Sequence, residues 1–276
     1  MRIFVTGATG YIGTEVVREL IEGGHQVVGL TRSDKGAALL EEAGAEAHLG
    51  TLEDLDSLQR GAAAADGVIH LAFRHDFSDF AGSLAMDLRA VEAMGAVLEG
   101  SGKPFVITAH ANGTESENVV LGLAERGVRT SIVSLAPSVH GERDKGFVPH
   151  LIHTARTKGF AAYIGDGANR WPAVHRIDAA SLFRLAVEAA PAGSRLDGVG
   201  DEGIPFRDIA AVIGRHLNVP VRSITREEAA AHFGFLGMLA GLDFPRSSAE
   251  TQELLGWKPV HPGLLEDLEQ GHYFSK

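Results

Sequence analysis

The chain has 276 residues, 45% of them hydrophobic, a formal net charge of −11 and no cysteine. That apolar content supports a real core without covalent staples, and the acidic balance opposes a nucleic-acid surface. The lack of cysteine excludes a disulfide framework, a thiolate metal site and a cysteine nucleophile.

No run of about eighteen apolar residues is present to span a membrane. Met1-Arg-Ile-Phe leads straight into a strand with no signal-peptide pattern, so a cytoplasmic protein with no membrane or nucleic-acid partner is expected. Lys and Arg are scattered along the chain, and no low-complexity segment interrupts it.

The first fourteen residues organise the rest. Ile3 to Val5 read as a buried strand, which meets a turn holding Gly7, Gly10 and Gly13 before the helical spacing of Ile12, Val16, Val17 and Leu20. In this strand-turn-helix context a glycine triplet points to a dinucleotide. The first glycine permits a tight turn, the second lets backbone amides approach a pyrophosphate, and the third lets the helix sit close on the strand. The phosphate charge then lies at a helix N-terminus, where free N–H groups and the helix dipole favour an anion. The spacing here is Gly-x-x-Gly-x-x-Gly, not the commoner Gly-x-Gly-x-x-Gly.

Gln26 to Leu30 is a second strand, ending at Thr31-Arg32-Ser33-Asp34. An acidic residue at this point would accept hydrogen bonds from the ribose of NAD, whereas an arginine pairs with the 2′-phosphate of NADP. Arg32, with Ser33 beside it, therefore favours NADP over NAD. Asp34 is expected to cap a helix running to about Ala43. Ala45 to Leu49 is a third strand, and Gly50-Thr-Leu-Glu-Asp54 leads into a short helix. Val68 to Ala72 is a fourth strand, and its end, His70-Leu71-Ala72-Phe73, should lie beside the glycine turn. A helix from Phe77 to Gly100, a strand from Phe105 to Thr108, a helix from Glu115 to Arg126 and a strand from Thr130 to Leu135 follow. Six alternating strands predict an α/β fold, a Rossmann-type doubly wound parallel sheet.

From Pro137 the rhythm changes. Phe147 to Lys158 reads as a helix, Gly165-Asp-Gly as a turn, Val174 to Asp178 as a short strand capped into a helix to Ala189, and Pro205 to Leu217 as another helix. Val221 to Ile224, a Thr225/Glu228 capping box and a helix over Ser247 to Leu255 end the series. These pieces predict a smaller α/β C-terminal lobe that binds substrate over the carboxyl ends of the strands, with strands returning to the main sheet. The boundary is set between a dinucleotide-binding domain, 1–140, and this lobe, 141–276. His150 and His153 share a helix face but need a third ligand, and no metal site is expected. Asp166 and Asp178 read as turn and cap residues. Arg170-Trp171-Pro172 reads either as cleft lining or as packing. Neither a Gly-x-Ser-x-Gly elbow nor a phosphate-binding Gly-x-x-x-x-Gly-Lys loop occurs.

With these residues read, the chain resembles the extended short-chain dehydrogenase/reductase superfamily, in its NAD-dependent epimerase/dehydratase group. The resemblance rests on Gly7-Ala-Thr-Gly-Tyr-Ile-Gly13, Gly50-Thr-Leu-Glu-Asp54, His70-Leu71-Ala72, Val139-His140-Gly141, Gly165-Asp166-Gly167, Val174-His-Arg-Ile-Asp178 and Leu255-Gly-Trp-Lys-Pro259, in that order. It implies that Gly7, Thr9, Gly10, Tyr11, Ile12 and Gly13 hold the pyrophosphate. Arg32 would take the 2′-phosphate, Leu52 and Leu71-Ala72-Phe73 the adenosine side, and Pro137 the nicotinamide edge.

One departure bears on function. Family catalysis rests on a Tyr-x-x-x-Lys pair, which exchanges a proton while hydride moves. Tyr11, Tyr163 and Tyr273 are the only tyrosines, none has Lys four residues later, and the two slots fall on Ala109 and Gly113. The loop that usually carries the catalytic serine is cut to Ala109-His-Ala-Asn-Gly-Thr114, and the family's Arg-x-Pro is replaced by Leu135-Ala-Pro137. Thr108, in the family's Ser/Thr position, and His110 are the candidates for chemistry. His140, expected in the loop after the sixth strand, is a further one. For both histidines the plainer reading is a loop side chain bonded to backbone.

The expected function is that of an NADP(H)-binding oxidoreductase acting on a small carbonyl or alcohol substrate, as a monomer or homodimer. One alternative is a non-catalytic protein that senses the NADP pool. Another, from the family name, is a sugar-nucleotide epimerase or dehydratase.

Overall fold

Ile3, Phe4 and Val5 have no solvent exposure, as a strand covered on both faces requires. In the computed structural model, which describes residues 1–76, 78–109 and 113–275, they form the centre of β1. The chain runs β1 (Arg2–Thr6), α1 (Gly13–Glu22), β2 (Gln26–Thr31), α2 (Asp34–Glu42), β3 (Glu46–Leu49) and α3 (Leu55–Ala63). It continues through β4 (Gly67–His70), α4 (Phe80–Leu98), β5 (Pro104–Thr108), α5 (Glu115–Glu125) and β6 (Arg129–Leu135). Then come β7 (Ser138–His140), α6 (Phe147–Lys158), β8 (Ala161–Ile164), β9 (Arg170–His175), α7 (Arg176–Ala189) and β10 (Ser194–Gly198). β11 (Asp201–Pro205), α8 (Phe206–Leu217), β12 (Val221–Ile224), α9 (Ala229–Phe233), α10 (Ala249–Leu255) and α11 (Leu264–Glu269) end the series.

The main sheet has seven strands in the order β10-β6-β5-β4-β1-β2-β3. The pairings β1–β2, β2–β3, β1–β4, β4–β5 and β5–β6 are all parallel. The strand order reverses between β1 and β4, where doubly wound sheets place ligands outside the carboxyl ends. In that pairing Thr6 lies opposite His70, so the two strands end level.

The expected doubly wound sheet is therefore present, with β10 as a seventh strand. Only Leu196 and Gly198 are buried in β10, so its sequence carries little strand signal. β8 pairs with β12 in a separate parallel ribbon, and β9 lies between β11 and β7 in a third sheet. Phe77, where the fourth helix was expected to begin, lies outside the described residues.

Contacts divide the chain into two compact units. The first comprises Met1–Ser134, Ala180–Leu196 and Glu250–Trp257, and the second Leu135–Ala179, Asp197–Ala249 and Lys258–Lys276. Phe4, Leu58, Val68, Met94, Phe105 and Ile132 centre the core of the first. Val148, Trp171, Phe206, Ile213, Phe233 and Leu264 centre that of the second. Among the described residues no helix is long and apolar enough to cross a membrane.

Two local expectations are corrected. The cap of α2 is Ser33, whose Oγ accepts from the N–H of Gly36 at 3.2 Å, and Asp34 is the first helical residue. Strand β9 starts at Arg170, and α7 starts at Arg176, so Asp178 is already inside the helix. The Thr225/Glu228 capping box forms reciprocally, with Thr225 N–H to Glu228 Oε2 at 2.8 Å and Glu228 N–H to Thr225 Oγ1 at 3.3 Å.

Candidate functional site

Gly7 leaves β1 with φ +70°, a conformation that L side chains rarely adopt. A Cβ there would stand 2.8 Å from the amide nitrogen of Ala72, so the turn rests directly on the backbone leaving β4. A Cβ on Gly13 would meet the carbonyl oxygen of Gly7 at 2.0 Å, which presses the first residue of α1 onto the turn. The N–H of Gly10 closes the turn by donating to that same carbonyl at 2.9 Å. Thr9 and Gly10 are exposed on its rim, and Tyr11 and Ile12 are half-buried.

α1 starts without a side-chain cap, as do α5, α6, α8, α9 and α11. α2, α3 and α4 start with side-chain caps from Ser33, Asp54 and Asp79, whereas Ile12 gives α1 none. What sets α1 apart is the turn ahead of it, where Gly7 and Gly13 have no room for a Cβ, and backbone amides at such a helix start can cradle an anion.

Arg32 directly follows β2, is exposed and has no ion-pair partner among the described residues. Leu71, Ala72 and Phe73 are half-buried at the end of β4, and Leu52 is half-buried against the core of the first unit. Pro137 is exposed between β6 and β7, in the second unit.

Beneath the turn lies a buried polar chain that sequence reasoning missed. Thr6 Oγ1 accepts from the N–H of Ala72 at 3.2 Å and lies 2.6 Å from His70 Nδ1. His70 Nε2 is 3.1 Å from Asp87 Oδ1, and the Ser116 hydroxyl donates to Asp87 Oδ2 at 2.6 Å. The signal was available: His70 interrupts an apolar strand, Asp87 stands on an apolar helix face with Met86, Ala90, Val91 and Met94, and buried polar groups need partners.

Thr108 ends β5, half-buried, its hydroxyl 3.5 Å from the carbonyl oxygen of His70. His110 lies outside the described residues. Ala109 is half-buried, and Gly113 is exposed with φ +62°. Neither slot residue carries a group that can move a proton. Tyr273, in the second unit, donates to Asp144 Oδ2 at 3.0 Å and accepts from the N–H of Gly141 at 2.9 Å.

Other candidates resolve into structural roles within the second unit. His140 is on β7 and fully buried. Its Nδ1 lies 2.8 Å from Asp267 Oδ2, so its partner is a carboxylate and not the expected backbone. His175 stacks on His261 at 4.9 Å and meets His140 edge-on at 5.3 Å. Burial foremost, then His140 and His261, lowers its pKa to about 4. Asp178, expected as a cap, accepts instead from the N–H groups of Val260 and His261 at 3.1 and 3.0 Å and faces His261 Nδ1 at 2.7 Å. Asp166 does hold its turn, accepting from the N–H of Ala168 at 3.0 Å. Trp171 is 1% exposed among Phe147, Phe206 and Phe244, which makes it core packing. His150 faces the carbonyl of Phe233 at 3.3 Å, and among the described residues no His, Asp and Glu groups converge on a metal position.

The model of the NAD dependent epimerase/dehydratase family matches residues 3–94, from β1 into α4. The uncharacterized protein C2A9.02 of Schizosaccharomyces pombe is 50% identical over 99% of this chain and 100% of its own length. The uncharacterized protein YLL056C of Saccharomyces cerevisiae is 45% identical over 99% of each. A 4-hydroxy-2-methyl-3-oxo-4-farnesyl-3,4-dihydroquinoline-1-oxide ketoreductase of Stigmatella aurantiaca is 28% identical over 85% of this chain and 80% of its own. Among solved structures, the dTDP-glucose 4,6-dehydratase of Streptomyces venezuelae, determined with NAD bound, superposes with a TM-score of 0.76 over 99% of this chain and 97% of that one, at 17% identity. Over its whole length the chain belongs to one family with C2A9.02 and YLL056C, and its residues 3–94 carry the pattern of the NAD dependent epimerase/dehydratase family, whose fold it shares.

Proposed function

We propose that this chain is an NADP(H)-dependent oxidoreductase that interconverts a ketone and an alcohol on a small molecule without the Tyr-x-x-x-Lys pair. The observation that carries the reading is the cradle: Gly7 and Gly13 leave no room for a Cβ against Ala72 and against each other, behind an uncapped helix start. Gly7, Thr9, Gly10, Tyr11, Ile12 and Gly13 would hold the pyrophosphate, with Leu52, Leu71, Ala72 and Phe73 along the rest of the dinucleotide. Arg32, exposed and unpaired among the described residues, would hold the 2′-phosphate. When bound, the nicotinamide supplies or accepts a hydride. The reaction type is drawn from the ketoreductase relative.

The protein's own contribution is then modest. Thr108 offers a hydroxyl that can donate to a carbonyl oxygen and polarise it. With Ala109 and Gly113 in the acid/base slots, the proton comes from water or from His110. The empty slots also support a second reading, a binding protein that reads the NADP pool and does no chemistry.

Titration of NADPH, NADP, NADH and NAD into the protein, followed by NADPH oxidation with a panel of ketones, separates the two. Micromolar NADPH binding with ketone turnover supports the enzyme, and binding without turnover on any ketone supports the sensor. Absence of binding to all four dinucleotides removes both.

A further inference from the structure

Thr6, His70, Asp87 and Ser116 come from β1, β4, α4 and α5, and none is more than 3% exposed. Their hydrogen bonds form one directed line. The N–H of Ala72 donates to Thr6 Oγ1 at 3.2 Å, and with His70 as the neutral imidazole protonated on Nε2, facing Asp87, the Thr6 hydroxyl donates to His70 Nδ1 at 2.6 Å. His70 then carries its proton on Nε2, facing Asp87 Oδ1 at 3.1 Å, and the Ser116 hydroxyl donates to Asp87 Oδ2 at 2.6 Å. A carboxylate at the far side imposes the tautomer that Thr6 requires. Buried lines of this kind order their members together, because each bond sets the direction of the next.

The two ends of the line matter for different reasons. One end is Ala72, the residue against which Gly7 is packed, and Thr6, the residue that precedes Gly7. The other is the first turn of α5, just past the segment holding the vacated acid/base slots. We infer that His70, Asp87 and Ser116 are positioning residues for the dinucleotide, which hold Ala72 and the glycine turn in register from as far away as the first turn of α5. This rests on the reading of the turn as a dinucleotide site.

The test uses the full chain and two readouts: deuterium exchange in peptides covering residues 6–10 and 70–74, and NADPH affinity by titration. Ser116→Ala should speed exchange in both peptides by about tenfold and weaken NADPH about fivefold, although Ser116 is in neither peptide. Thr6→Val should have the larger effect, about thirtyfold on NADPH, while Thr6→Ser restores the hydroxyl and stays within about twofold of the wild type. Asp87→Asn should also be tolerated. Its amide oxygen accepts from His70 and its NH2 donates to Ser116, whereas Asp87→Ala behaves like Thr6→Val.

In the Thr6→Val background, Ser116→Ala should change nothing further, as coupled residues require. Unchanged exchange in both peptides on Ser116→Ala, or effects that multiply in the double variant, would overturn the inference. The exchange arm needs no ligand: a wild type that binds no dinucleotide removes the cofactor reading, while exchange still decides whether the line orders the turn.

Discussion

The turn after β1 and the segment after β5 stand at the same end of one parallel sheet, two strands apart, and they are built in opposite ways. The turn is backbone packed on backbone: its two critical positions are occupied by nothing larger than hydrogen, with Gly13 and Gly7 so close that a methyl would sit 2.0 Å from a carbonyl oxygen. After β5, the half-buried Ala109 and the exposed Gly113 stand at the positions where proton-moving groups would be needed. Holding an anion needs amides and the absence of side chains, whereas proton transfer needs particular side chains. The turn has the first arrangement, and Ala109 and Gly113 do not have the second. The family match has the same limit, since it ends at residue 94, before β5 begins.

The largest expected effect breaks the first side of this comparison. Gly13→Ala should weaken dinucleotide binding by at least about 100-fold, near 2.7 kcal/mol, because α1 must move off the turn to admit the methyl. Retained affinity in titration would mean that the cradle is not the binding site. The second side is tested by Thr108→Val, which should lower kcat for ketone reduction by about 10- to 100-fold while leaving NADPH affinity within about twofold. Equal turnover would take Thr108 out of the chemistry.

Arg32→Ala sharpens the cofactor side. Loss of a charge-assisted contact worth about 1.5 kcal/mol should weaken NADPH about tenfold and leave NADH unchanged. Equal loss for both nucleotides would assign Arg32 a role other than the 2′-phosphate.

The smallest effect is on stability in the second unit. His175 stays neutral down to about 4 in the folded chain, against 6.5 when unfolded, so between these values the unfolded chain binds more protons and stability falls as pH drops. His140, His261, Asp178 and Asp267 surround it, and His140 and His261 add to the effect. Asp144, whose pKa is raised by burial, acts in the opposite sense and gains stability on acidification. His175→Asn keeps an acceptor for the N–H of Ile177 and removes the titration. Between about pH 7 and pH 5 it should lose about 2–4 °C less in Tm than the wild type, a difference near 1 kcal/mol. An identical loss in both would show that His175 does not govern the acid sensitivity.

Much of the first unit was legible because its signals are local. Six strands announce themselves as apolar runs, and the glycine triplet marks its own turn. In the second unit Thr225 and Glu228 bond reciprocally as their spacing implies, but the helix itself starts only at Ala229. What escaped had only distant partners. β10 offers a single large buried side chain, and it is a strand because β6 lies beside it. His140 resembles any loop histidine until Asp267, far along the chain, closes on it. Asp178 has the look of a helix cap until residues 260 and 261 arrive to use its oxygens.

The sequence by itself determined the doubly wound sheet, the glycine turn, the placement of Arg32 at the end of β2 and the loss of the tyrosine and lysine. These depend on hydrophobic period, glycine spacing and identity at fixed positions. Only the tertiary structure decided that His70 is a hub and not simply a motif letter, because its partners Thr6, Asp87 and Ser116 lie 64, 17 and 46 residues away along the chain. A buried polar side chain must be satisfied, but which residue satisfies it is set by how strands and helices pack, and no local pattern records that choice.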